Sequence, residues 1–157
     1  MKTYDEYENL IVDRLKSNAD TDVSPLPLIE SLNDPRSVIR PRIYVIYTGS
    51  TFEDTQNLGD FAQYETLTFE VYFQARTRQG DSGIFSVAEE AIQLLMKWKL
   101  PDAKENITIS NFGYVTGIQN YWQYQLKFSF PRVRVIREET VDGQLIKKIT
   151  HIYNVAE

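Results

Sequence analysis

From Tyr64 to Arg76 the chain reads YETLTFEVYFQAR, and apolar and polar residues alternate through it. Leu67, Phe69, Val71, Phe73 and Ala75 fall on one side, and Thr66, Thr68, Glu70, Tyr72 and Gln74 on the other. Successive side chains of a strand point to opposite faces, so this run predicts a long antiparallel strand with one face on a core and the other wetter. A second stripe of the same kind lies far along the chain, in Tyr121 to Phe130, where Trp122, Tyr124, Leu126, Phe128 and Phe130 share a side. It is the natural partner of the first.

Two helices are expected beside these strands. Thr3 to Ser17 opens with Thr3-x-x-Glu6, the capping-box spacing that satisfies two backbone N–H groups reciprocally, and Tyr4, Tyr7, Leu10, Ile11 and Leu15 make one apolar face. Ile84 to Lys97 carries Ile84, Ala88, Ala91, Ile92 and Leu95 as a stripe, and Leu100-Pro101 stops it. Val23 to Leu28 holds Pro25 and Pro27, which lack an N–H donor and restrict it to an edge strand or an extended segment. Ile43 to Thr48 reads as a buried strand, and Ile107 to Val115 as a further one. Gly49 to Gln63 reads as a long polar loop carrying Phe52, Leu58 and Phe61. Pro131 is expected to end the pairing of the Tyr121 strand or to mark a bulge. The tail reads as a separate hairpin, Val133 to Thr140 and Leu145 to Tyr153, around the Asp142-Gly143 turn. The expected fold is α+β: an antiparallel sheet of about four strands (those of Ile43, Leu67, Ile107 and Tyr121), two helices packed on its apolar face, and a C-terminal β-hairpin. Residues 1–136 form the body and 137–157 the hairpin extension.

Composition narrows the function classes. A chain of 157 residues with 42% hydrophobic and 25% charged residues suits one globular domain. The formal charge of −5 opposes tight nucleic-acid binding, which needs clustered cations. There is no cysteine, so disulfides, thiolate metal sites and cysteine nucleophiles are excluded together. The charged start MKTYDEYENL predicts no secretory signal, and the apolar runs are too short to span a bilayer, so no membrane partner is expected.

No residue set reads as catalytic. His151 is the only histidine, and no Ser-His-Asp or metal set forms around it. Asp20 with Asp22, and Glu53 with Asp54, read as solvated loop acids. Gly80-Asp81-Ser82-Gly83 precedes a helix but lacks the Lys-Ser/Thr pair of a phosphate-binding loop. No enzyme activity, cofactor or metal is therefore expected. Tyr64, Tyr72, Tyr121 and Tyr124 leave open an alternative, a nucleic-acid or peptide-binding module using the aromatic sheet face. Against it stands ordinary sheet packing or a protein interface, where Tyr is enriched.

The order of elements resembles that of phage tail terminator (tail completion) proteins, especially the Mu-like family of contractile-tailed phages and prophages. The resemblance is carried by Ile11-Val12-Asp13-Arg14-Leu15 closing the first helix and by Pro41-Arg42-Ile43-Tyr44-Val45-Ile46-Tyr47-Thr48-Gly49. It continues in the Leu67 to Arg76 strand, which leads through a polar turn into the Ile84 to Leu95 helix, and in the short strand and long aromatic strand that close the domain. It covers roughly residues 1–136, and the charged hairpin goes beyond it. It implies a non-enzymatic virion protein in the tail, assembled in the bacterial host cytoplasm. Such a protein caps the tail tube, ends its growth and helps join tail to head. It implies as partners further copies of itself in a ring, usually of six, the tail tube protein and a head–tail joining protein. Ring contacts are expected from the apolar residues of the loop, Phe52, Leu58 and Phe61, and from Ile146, Ile149, Ile152 and Tyr153 of the hairpin, which have few core positions left to fill.

Overall fold

The structure, a computed structural model, describes residues 1–16, 20–27, 40–54, 62–118 and 121–135. Its elements are α1 (Tyr4–Leu15), β1 (Asp22–Pro25), β2 (Arg42–Glu53), β3 (Ala62–Ala75), α2 (Ile84–Leu95), β4 (Thr108–Ile118) and β5 (Tyr121–Val135). They form an α+β fold with a five-stranded sheet in the order β1-β2-β3-β5-β4. β1 runs parallel to β2, and the other neighbours are antiparallel. The expected hairpin beyond Val135 and the 136/137 boundary fall outside the described residues.

The two apolar stripes meet as their alternation requires. Leu67 lies opposite Phe130, Phe69 opposite Phe128, Val71 opposite Leu126, Phe73 opposite Tyr124 and Ala75 opposite Trp122. All five β3 residues of the stripe are buried, as are Leu126, Phe128 and Phe130. Both helices lie on this face. Tyr7 of α1 meets Phe130 edge to face at 5.1 Å between ring centroids, and Phe85 of α2 meets Tyr124 at 5.5 Å. The capping box of α1 forms as its spacing predicts: Thr3 N–H donates to Glu6 Oε2 (2.7 Å) and Glu6 N–H to Thr3 Oγ1 (3.4 Å).

Three expectations need correction. The sheet has five strands and is mixed, because Asp22–Pro25 pairs in parallel with Arg42–Val45. A four-residue run ending in proline has no alternation to read, and its pairing is imposed by the edge of β2. Second, Gly49 to Glu53 is strand. β2 runs on opposite Tyr64–Thr68, and the change of register falls between Tyr47 (opposite Phe69) and Gly49 (opposite Thr68). Thr48 is the extra residue of this bulge, and its hydroxyl donates to the Thr68 carbonyl (3.1 Å). Gly49 has φ 149°, a backbone that favours glycine. The polar composition hid a strand whose partner is buried on one face.

Third, β5 continues through Pro131 to Val135, so Val133 to Val135 belong to the sheet and not to a separate hairpin. Pairing with β4 stops at Ser129, but pairing with β3 extends to Val135. The Pro131 carbonyl accepts from Lys104 N–H (2.8 Å). Within a strand the N and C=O of one residue point the same way, so the missing donor of Pro131 faces away from β3 and breaks no bond of that ladder.

Phe69 touches Tyr47, Phe128 and Phe130 at the centre of this core. Replacing it by alanine is expected to cost about 3–5 kcal/mol of unfolding free energy, the range for a buried aromatic. Urea unfolding of Phe69→Ala measures it, and a loss below about 1 kcal/mol would contradict the central place of this ring.

Candidate interaction surfaces

Where β2 ends and β3 begins, the helix-bearing face changes from apolar to ionic. Glu65 lies opposite Arg132, and both side chains are fully buried. Arg132 Nε donates to Glu65 Oε1 (2.7 Å), the Tyr4 hydroxyl donates to Oε2 (2.6 Å), and Arg132 Nη1 donates to the Lys2 carbonyl (2.7 Å). The Arg132 guanidinium also lies over the rings of Tyr4 and Tyr7, at 5.4 and 5.3 Å from their centroids. Tyr7 donates its hydroxyl proton to the Pro101 carbonyl (2.8 Å). This cluster ties the first turn of α1 to β3, to β5 and to the turn after α2. Burial alone would push the Glu65 carboxyl up. The hydrogen bonds from Tyr4 and Arg132 and the charge of Arg132 outweigh that and hold it below its ordinary range. Tyr4 is pushed up to about 12 by burial and by its bond to Glu65.

At the other end of the sheet the same face carries an aromatic shelf. Tyr114 on β4 is 59% exposed, and its ring packs against Trp122 at 6.2 Å and Tyr124 at 5.7 Å. Phe112 stacks on Tyr124 at 5.5 Å, and Phe85 closes the shelf from α2. Trp122 lies across Gly117 of the neighbouring strand, where a Cβ would come within 3.1 Å of the indole. The absent side chain of Gly117 is what lets the ring lie flat. Arg78 covers the outer side of Trp122 at 4.6 Å from the ring. β4 is an edge strand of the described sheet, and its sequence TISNFGYVTGI carries no charge. Edge strands are usually guarded by charge or proline. The opposite edge, β1, has both in Asp22 and Pro25.

Phe52 stands at the end of β2 and is half exposed. The bulge at Thr48 places it opposite Glu65, on the helix-bearing side. Leu58, Phe61, Ile146, Ile149, Ile152, Tyr153 and His151 lie outside the described residues. Among the tyrosines considered for base stacking, Tyr121 and Tyr124 are buried, Tyr72 donates to Glu70 (3.0 Å), and Tyr64 is covered by Lys104. Asp22 pairs with Arg40 at 2.8 Å, and Asp54 accepts from Gln63. The glycines before α2 answer to backbone geometry. Gly80 has φ 88°, and a Cβ on Gly83 would come within 2.4 Å of the Gln79 carbonyl oxygen. Tyr114 was not legible as a surface residue, since its strand alternates too weakly to assign a face. The paired glycines Gly113 and Gly117 beside aromatics were the available signal.

Glu65→Gln leaves Arg132 buried without its counter-charge and is expected to cost about 3 kcal/mol near neutral pH. The folded-state pKa of Glu65 lies below its unfolded value, so the ion pair stabilises the fold above the ordinary carboxylate range. That contribution is lost as pH falls through the folded pKa. Urea midpoints should therefore differ most at neutral pH and converge in acid. A constant difference would show that Glu65 does not titrate as described.

No curated protein matches the chain. A family described as Gp37 protein matches residues 11–153, which takes in α1 from Ile11, every strand of the sheet and α2, and runs on past residue 136. The chain thus belongs to the Gp37 protein family, a phage-related family.

Proposed function

We propose that this chain is a non-enzymatic virion assembly protein of the tail-terminator type. It caps the tail tube, ends tube growth and helps join tail to head, acting as a ring of copies, usually six. Its partners are its own copies, the tail tube protein and a head–tail joining protein. The observation that carries this reading is membership of a phage-related family over residues 11–153. An α+β body with an exposed aromatic on each of two separated parts of the sheet, Phe52 and Tyr114, suits a protein that works through contacts. Phe52 is proposed as one of those contacts, together with Leu58, Phe61, Ile146, Ile149, Ile152 and Tyr153. The net charge of −5 suits a subunit that DNA passes without adhering.

Deletion of the gene in its phage or prophage tests the reading. Tails are expected to lose length control and to fail to join heads, seen by electron microscopy of lysates. Normal tails would remove the assignment. Duplex DNA at physiological salt is expected to bind no more tightly than micromolar, and a submicromolar, steeply salt-dependent affinity would contradict an unsticky lumen.

A further inference from the structure

Two exposed patches of different charge lie toward opposite ends of the helix-bearing face. One is the shelf of Tyr114 and Trp122 under Arg78, with Arg76 exposed beside it and Asp81 the acid in the following turn. The other is Phe52 with the exposed acid Asp54, which lies two residues on and bonds Gln63 on the same side of the sheet. The shelf sits on the row Ile43–Phe73–Tyr124–Tyr114, and Phe52 on the row Phe52–Glu65–Arg132. At the ordinary strand rise these rows are about 26 Å apart along β3. β3 and β5 also lie between β2 and β4. One folded chain cannot bring the patches together.

We propose that they meet between chains: the Tyr114–Trp122–Arg78 shelf of one copy receives Phe52, with Asp54, from the next copy. The proposal rests on the tail-terminator reading only for what the assembly is for. An exposed Tyr beside a partly buried Trp with a stacked Arg is the composition of interface anchors, and an incoming phenyl ring continues the shelf. Asp54, on the same side as Phe52, supplies the acid for the guanidinium groups flanking the shelf. Shelf against shelf would set Arg78 facing Arg78, a like-charge contact that opposes a two-fold dimer. A contact between two different patches leaves one of each unused at every step, so association continues beyond a dimer, into a ring where the rotation between copies closes.

The chain has no cysteine, so introduced thiols report only where they are placed. Phe52→Cys, Tyr114→Cys and the double variant are oxidised at high concentration, and also in extracts assembling tails. The double variant is expected to give a ladder of covalent multimers. An equal mixture of the single variants is expected to stop at a dimer, and each single variant alone to remain monomeric. Arg78→Glu on the Tyr114→Cys chain should reduce that dimer about tenfold, and Asp54→Arg on the Phe52→Cys chain should restore it. The proposal is overturned if the mixture yields no dimer in either setting. It is equally overturned if one single variant dimerises as well as the mixture does, or if the charge reversal fails to rescue. A ladder from a protein whose deletion leaves tails normal would keep the contact and remove the terminator reading. Defective tails with no cross-link would do the reverse.

Discussion

The register of β3 against β5 is the constraint on which the rest of the molecule depends. A slip of one residue would turn Leu67, Phe69, Val71 and Phe73 to the wetter face and bring Thr66, Thr68 and Glu70 beneath the helices. The apolar rows hold against such a slip by the loss of burial, but a hydrophobic stripe penalises a slip of two residues much less. Glu65 and Arg132 supply the missing discrimination. A shift of two sets Glu65 opposite Phe130 in one direction and Arg132 opposite Leu67 in the other, so either way the pair is broken, and a buried charge without its partner is costly. The pair adds little net stability compared with two well-packed apolar residues. What it adds is a single permitted alignment, and through Tyr4 and the Lys2 carbonyl it fixes the start of α1 to that alignment.

Much of this was legible in the sequence because it depends on local rules. Strict alternation located β3 and the core side of β5, the Thr3–Glu6 spacing located the start of α1, and Pro25 marked an edge. Features missed were those set by a partner distant in the chain. Gly49 to Glu53 has the composition of a loop and is a strand because β3 lies beside it. Pro131 stays within β5 because its donorless nitrogen faces outward. Glu65 and Arg132 are charged residues far apart in the sequence, and only the fold shows that they share a row. Tyr114 is exposed on a strand at the edge of the described sheet, a position that a single strand's pattern does not record.

The two edges of the described sheet differ, and this bears on how the protein meets others. β1 is four residues long and carries a proline and an acid paired with Arg40. β4 is longer and uncharged, and it is interrupted by irregularities near Ile109 and Tyr114. Those irregularities disrupt indefinite strand addition while leaving the aromatic side chains presented. Contact at this edge is thereby weighted toward side chains, which can be specific, and away from the backbone ladder, which any extended chain could extend.

The bulge at Thr48 has a consequence of parity. Before it, odd-numbered residues of β2 face the helices; after it, even-numbered ones do, as the pairings of Tyr47 with Phe69 and Phe52 with Glu65 require. The orientation of the whole stretch from Gly49 to Glu53 is therefore set by a count. Loss of Thr48 alone would turn Ser50 and Phe52 to the opposite side and bring Thr51 and Glu53 to the helix side. Removal of two adjacent residues would shorten the strand but keep its sidedness. Length variation in this stretch is thus constrained as odd or even rather than by size, so an insertion of two is a smaller change to this surface than an insertion of one.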